Sequence, residues 1–338
     1  MENNTFKILS IDGGGIKGLY SSRILFQFEE AAKKHYGDPN LRIVDFFDLV
    51  CGTSTGGLIA LGISARIPME KIYKFYELKG QSIFPKSMEW WKMIRQTFIG
   101  GKYSDLPLRK ALQEMFADRR IASSECLLCI PTYDFTHGTY ELFKYDHAEG
   151  NLQRHNKLRY VDVALATSAA PTYFPLAQIA DENNIQYVDG GVWANNPATI
   201  GLAEALRYFV GAGKQYGRME LLSVASLNVK AGKAPMLRRH RSFLNWRHDL
   251  FNLSLIGQSE FCDYFLSTLK EYTDLPLDYY RIPSPLISGE QSKFIDLDKA
   301  SVPAYNLMKQ YADDMYHRVR HDAIIKKIFT SKKTYQVK

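Results

Sequence analysis

Phe46-Phe47-Asp48-Leu49-Val50-Cys51-Gly52-Thr53-Ser54-Thr55-Gly56 is the stretch whose reading decides the fold. Its first six residues read as a buried strand, and they run straight into a glycine-rich turn followed by a helical pattern from about Thr55 to Ser64. The same arrangement stands upstream. Phe6 to Ile11 reads as a strand that ends in Asp12-Gly13-Gly14-Gly15, and a helical spacing of Leu19, Ile24, Leu25 and Phe28 follows until Gly37-Asp38-Pro39 stops it. Downstream, Cys126 to Tyr133 and Thr139 to Tyr145 read as strands, Val161 to Ser168 as a short helix and Leu221 to Leu227 as another strand. Beyond Lys230 the pattern turns mostly helical, around 249–270 and 302–329. Strands alternating with helices predict an α/β fold with a mainly parallel central sheet.

Open α/β sheets place their sites at the carboxyl ends of the strands, and two glycine clusters fall at such ends. Gly52-Thr53-Ser54-Thr55-Gly56 fits G-x-S-x-G, in which a serine on a tight strand-to-helix turn has its hydroxyl exposed and flanking glycines let the backbone turn sharply. Ser54 is therefore the candidate nucleophile; the alternative is a turn whose serine merely caps the next helix. Gly13-Gly14-Gly15-Ile16-Lys17-Gly18 fits G-x-G-x-x-G, which invites a dinucleotide-binding reading, with Asp38 formally available for a ribose. Backbone N–H groups cradled at a helix start serve any anion, so an oxyanion hole one strand from Ser54 is the more economical use.

A serine hydroxyl needs a base to take its proton. None of the eight histidines stands in a turn that suggests a buried base. Asp189, in Tyr187-Val188-Asp189-Gly190-Gly191, closes a short apolar strand and is a better candidate, provided that burial raises its pKa toward working pH.

Together these residues resemble the patatin-like phospholipases, a family marked by D-G-G-G-x-[KR]-G, then G-x-S-x-G, then D-G-[GA]. The motifs stand here as Asp12 to Gly18, Gly52 to Gly56 and Asp189 to Gly191, with Lys102-Tyr103-Ser104, Ser168 to Pro175 and Val192 to Pro197 matching between and after them. The resemblance covers about residues 7–230 and implies a three-layer patatin-like core there, with 231–338 as a helical, basic region packed on it that has a ligand-sensing or lid role. It implies a Ser54–Asp189 dyad without histidine, acting through an acyl-enzyme on phospholipid esters. Gly13, Gly14 and Gly15 would hold the oxyanion, with Asp12, Lys17, Gly18, Gly52, Gly56, Gly190 and Gly191 supporting the motifs. Lys17 would position the loop or meet lipid phosphate. Many relatives carry S-L-G-T-G after the strand at 221–226, where this chain has Ser226-Leu227-Asn228-Val229; that departure bears on acyl-chain preference more than on chemistry. Transfer of the acyl group to an alcohol instead of water uses the same machinery, and a binding module with idle motifs is the reading from another class.

Charge sharpens the resemblance. Residues 1–205 hold 22 Lys/Arg and 23 Asp/Glu, while residues 206–338 hold 21 and 13, so the whole net charge of +7 comes from the last two-fifths. A basic region suits a bilayer surface, a nucleotide or a nucleic acid, or serves solubility alone. A compact core with a short basic helical region resembles the bacterial phospholipase effectors of anti-phage signalling that cyclic di- or oligonucleotides switch on. That subgroup implies a cyclic-nucleotide activator, membrane phospholipid as substrate, peripheral contact with the membrane, a homo-oligomer and no nucleic acid partner. The densest basic cluster, Arg238, Arg239 and Arg241 with Arg247 after Trp246, is the candidate anion-binding set. Ile83 to Ile99, with Trp90, Trp91 and interleaved Lys86, Lys92 and Arg95, reads as a lid or interfacial patch, with buried core as the alternative for Trp91 and Ile94.

At 338 residues, with 46% hydrophobic and 23% charged, the chain has ordinary globular composition, which excludes a disordered, collagenous or coiled-coil protein. Its start has no basic or apolar signal-peptide region, and no run of about 18 apolar residues occurs. A cytoplasmic protein acting at the inner membrane surface is expected. Cys126-Leu127-Leu128-Cys129 lacks the second pair that zinc would need, so two buried structural cysteines and no metal or other cofactor are expected.

Overall fold

The computed structural model describes residues 5–85, 101–228, 239–240 and 242–337, with the side chains of 243–245 and 247–249 excepted. Its centre is one eight-stranded sheet: β1 (Thr5–Ile11), β2 (Leu49–Gly52), β3 (Leu127–Asp134), β4 (Thr139–Lys144), β5 (Ala177–Ile179), β6 (Ile185–Asp189), β7 (Arg218–Val224) and β8 (Leu277–Ile282). The order is β5-β6-β3-β2-β1-β7-β8, with β4 also on β3. From β3 through β8 neighbours run parallel; only the pairs made by β4, β5 and β6 are antiparallel. Every residue of β1 and β2 is buried, as a parallel sheet requires when helices cover both its faces.

The helices are α1 (Gly18–Tyr36), α2 (Thr55–Ser64), α3 (Met69–Ile83), α4 (Leu106–Phe116), α5 (Tyr160–Thr167), α6 (Gly191–Ala194), α7 (Ala198–Glu204), α8 (Phe243–Tyr272), α9 (Gly289–Ser292), α10 (Val302–Val319) and α11 (Ala323–Phe329). The strand expected from Phe46 begins later, at Leu49, because Ile43–Asp45 forms a 3-10 turn that leaves Phe46 and Phe47 buried as loop anchors. The helix expected over 302–329 is two, and the Asp322 side chain restarts it by accepting from the Ile324 N–H at 2.8 Å.

The mostly helical stretch beyond 230 also supplies β8, which pairs with β7 along its length. The end of the chain crosses back under the sheet, where Lys7 Nζ donates to the Ile328 carbonyl at 2.8 Å and Asp48 Oδ1 accepts from the Thr334 and Tyr335 N–H groups.

The register of β3 positions the site. Leu127 to Cys129 pair with β2, and Thr132 to Asp134 pair with β6 along the same edge, since β4 occupies the other. β2 runs up that edge and β6 runs down it, so the residues that follow Gly52 meet the residues that end β6. Pro131, with no N–H to give a ladder, stands where the partner changes.

Candidate active site

Ser54 follows β2 with φ 53° and ψ −122°, a conformation that non-glycine residues rarely adopt. Its flanking glycines are steric necessities. A Cβ on Gly52 would lie 2.1 Å from the Gly56 carbonyl oxygen, and one on Gly56 would lie 2.2 Å from that of Ile11. The turn is thus pressed between β1 and α2, which holds the strain in place. The Ser54 side chain does not cap α2. Its hydroxyl donates to Asp189 Oδ2 at 2.7 Å, while its N–H donates to Thr167 Oγ1 at 3.0 Å. The Thr167 hydroxyl donates in turn to the Pro131 carbonyl at 2.7 Å.

Asp189 ends β6 and is buried. Its other oxygen, Oδ1, accepts from the Gly191 N–H at 2.7 Å. Burial pushes its pKa up to about 7, against the pull of the hydrogen bonds from Ser54 and Gly191. A carboxylate with that affinity and a hydroxyl proton in reach has the geometry and pKa of a general base near neutral pH.

The glycine loop after β1 lies beside the serine: a Cβ on Gly13 would be 3.3 Å from Ser54 Cβ. Thr55 Oγ1 donates to the Gly15 carbonyl at 2.8 Å, tying loop to elbow. The three loop amides are not equivalent. The Gly13 N–H donates to the Asn195 carbonyl at 3.0 Å and so is already committed, which corrects its expected place among the oxyanion donors. Gly14 and Gly15 line the cavity that holds Ser54 and Asp189, and among the described residues nothing accepts from their N–H groups. Gly15 has φ +59°, and a Cβ there would lie 2.2 Å from the Leu297 carbonyl oxygen, so glycine is required twice over.

Two anchors of this loop escaped sequence reasoning. Arg281 in β8 forks onto the buried Asp12, Nη1 to Oδ1 at 3.1 Å and Nη2 to Oδ2 at 2.5 Å, and donates to Ser223 Oγ at 2.6 Å. Nothing local marks Arg281; its partner is 269 residues away. Asn195 lies in the noted Ala194-Asn195-Asn196-Pro197 stretch and joins the loop to α8. Its carbonyl takes Gly13, its N–H donates to Gln258 Oε1 at 3.2 Å, and its Nδ2 donates to Ser259 Oγ at 2.9 Å.

Lys17 turns away from Ser54 and Asp189 into a second, more polar cavity with Asn195, Asn228, Asn252 and Asp296. Burial lowers its pKa to about 8, against Asp296 and Asp12. Gly18 lets α1 touch the elbow, since a Cβ there would be 1.9 Å from Thr55 Cγ2, and Gly190 packs against the Pro131 carbonyl.

The cavity that holds Ser54 and Asp189 is lined mainly by apolar side chains, among them Leu58, Phe75, Ile83, Phe84, Leu108 and Phe174. Tyr103, Tyr173, Leu255 and Leu297 form a separate apolar cluster with Phe84, Phe174 and Phe251 packed on it, and this cluster roofs the site. The strap at 297–298 is fastened on both sides: Ile16 N–H donates to the Leu297 carbonyl at 2.9 Å, and Asp298 Oδ2 accepts from Lys102 Nζ at 2.6 Å and Tyr103 OH at 2.8 Å. Ser54 stays partly exposed within this cavity.

The patatin-like phospholipase family model matches residues 9–202, more than half of the chain, and spans the serine, aspartate and glycine motifs just described. The chain belongs to the patatin-like phospholipase family. It is accordingly an enzyme, a serine-type lipid ester hydrolase. A "cGAMP-activated phospholipase" of Pseudomonas aeruginosa is 29% identical over 95% of this chain and 90% of its own length. One of the same name from Vibrio cholerae is 34% identical over 60% of this chain and 59% of its own. "Patatin-like protein 2" of Arabidopsis thaliana is 28% identical over 92% and 83%.

Of the other expected features of this patatin-like phospholipase, Arg238 and Arg241 lie outside the described residues, as does the patch from Lys86 to Ile99. Arg239 is exposed; Arg247 falls within α8, its side chain outside the description. Cys126 and Cys129 are buried free thiols. No histidine lines the cavity among the described residues, and none of these residues groups into a metal site.

Proposed function

We propose that the chain hydrolyses acyl esters of membrane phospholipids through a Ser54–Asp189 dyad and an acyl-enzyme, and that a cyclic di- or oligonucleotide switches it on at the inner membrane surface. The 2.7 Å hydrogen bond from Ser54 Oγ to Asp189 Oδ2 carries the mechanism. Ser54 Oγ attacks the ester carbonyl as its proton passes to Asp189, and the resulting oxyanion is met by the N–H groups of Gly14 and Gly15. The tetrahedral adduct collapses to the acyl-enzyme and expels the lysophospholipid alkoxide, which takes the proton from Asp189. Water then gives its proton to Asp189 and attacks the acyl group, releasing fatty acid and restoring Ser54.

The nucleotide switch is supported by the activity for which the Pseudomonas and Vibrio relatives are named. An activator that binds better to a form in which the apolar cluster over the site is parted would shift the protein toward that form.

Fatty-acid release from phospholipid vesicles, by wild type and Ser54→Ala, with and without a panel of cyclic nucleotides, tests both parts. Release that requires Ser54 and one nucleotide is the expected result. Release without nucleotide would keep the hydrolase and remove the switch. Release by Ser54→Ala equal to wild type would remove the mechanism.

A further inference from the structure

α8 is apolar on two sides. Its inner face carries Leu255, Ser259, Cys262 and Leu266, all buried. That face belongs to the site: Phe251 and Leu255 line the catalytic cavity, and the Leu255 carbonyl and Ser259 hydroxyl accept from Asn195 Nδ2. The outer face carries Trp246, Leu250, Leu253, Phe261, Tyr264, Phe265 and Tyr272, which range from 38% exposed at Trp246 to 74% at Tyr272. At about 100° per residue these seven fall within an arc of about 120°, and they extend about 39 Å along the axis. An amphipathic helix ordinarily turns such a stripe to the core. Here the core contact is already made by the opposite face.

We propose that this outer face of α8 is the surface by which the enzyme lies on a phospholipid bilayer with anionic headgroups. The inference rests on the lipid-hydrolase reading and adds to it the docking surface. Four observations favour a bilayer over a second copy of the chain. The stripe mixes Trp and Tyr with Phe and Leu, and aromatic rings with a polar tip settle at headgroup depth. A helix–helix seam would instead repeat Leu, Ile or Val at heptad spacing, whereas this arc holds no Ile or Val and is interrupted by Arg247, Ser254, Gly257, Thr268 and Glu271. No described helix is long and apolar enough to cross a membrane, and exposed Glu260 borders the stripe, which suits a helix that lies in the interface plane. The sequence that leads into and opens the helix, 230–247, carries six Lys/Arg and no Asp/Glu, the sign that anionic headgroups attract. Docking on this face also sets the bilayer on the outer side of the helix whose Phe251 and Leu255 line the cavity of Ser54.

The test separates binding from chemistry. Ser54→Ala protein, with and without cGAMP, is sedimented with vesicles of phosphatidylcholine alone or mixed with phosphatidylglycerol. The same is done with Leu250→Ser, Phe261→Ser and Tyr264→Ser combined in that background. Expected are preference for the mixed vesicles and partition weakened by about tenfold or more in the triple variant. With Ser54 restored, the triple variant should lose vesicle hydrolysis in proportion while keeping wild-type turnover of a short-chain ester dissolved as monomers and an unchanged Tm. Unchanged partition of the triple variant would overturn the proposal, as would absence of partition by the parent protein. So would a wild-type dimer, read by light scattering, that the triple variant splits without loss of vesicle binding. Failure of wild type to turn over the dissolved ester counts against the hydrolase reading, and sedimentation still decides the surface.

Discussion

Asp-Gly-Gly occurs twice at the end of a strand, at Asp12 after β1 and at Asp189 closing β6, and the two carboxylates live differently. Both are buried, and burial presses each toward its neutral form. Asp12 faces a guanidinium that forks onto both its oxygens. Asp189 has no cation beside it among the described residues; it takes one hydroxyl and one amide N–H, and its pKa stands at about 7. A buried carboxylate with a matched cation is an anchor, and one without a cation is a proton acceptor. The dipeptide context is the same, so the difference lies wholly in what the fold brings opposite.

The largest effect expected is on turnover. Asp189→Asn and Ser54→Ala should each lower fatty-acid release by about a thousandfold or more, because the base and the nucleophile act as a unit. Asp12→Asn should instead act on stability: it leaves Arg281 buried without its partner, at a cost of about 3–5 kcal/mol in urea unfolding. If Asp12→Asn left unfolding unchanged, the anchor role would be wrong.

Asp189→Asn should move stability the other way, by about 4 kcal/mol at most at pH 8. The fold raises this carboxyl's pKa from an ordinary value near 4 to about 7, so wild type loses stability as pH rises through that window and the variant does not. Below about pH 4 both states hold the proton and the two proteins should unfold alike. The same titration gives the hydrolysis rate a rising limb centred near pH 7, read from kcat/KM against pH. An activity limb below pH 5 would contradict a carboxylate held up by burial.

Smaller still is a third carboxylate, Asp298, paired with Lys102 at 2.6 Å and mostly buried. Lys102→Met should loosen the strap and cost about 1 kcal/mol of stability. The rate on a dissolved ester should rise by about two- to fivefold if roof opening limits entry.

Much of the site is legible in the chain because its motifs are local and steric. Glycines at 52 and 56 leave the turn no room for a side chain, Gly15 needs a left-handed backbone, and Ser54 sits where strand meets helix. β8 was not legible. Leu277-Asp278-Tyr279-Tyr280-Arg281-Ile282 is short, lies between helical stretches, and becomes a strand because the open edge of β7 accepts it. The commitment of the Gly13 amide to Asn195 was equally hidden, since a glycine-rich loop does not say which of its N–H groups the fold consumes.

The sequence by itself determined the α/β alternation, the two glycine turns and the strand-end settings of Ser54 and Asp189, because each depends on residues within a few positions of one another. Only the tertiary structure decided that β2 and β6 meet along one edge of β3 and so bring Ser54 to Asp189, that Arg281 rather than any other described cation pairs with Asp12, and that α8 lines the cavity with one face and leaves an apolar stripe on the other. Those are contacts between residues far apart in the chain, set by burial and register, and no local pattern encodes them.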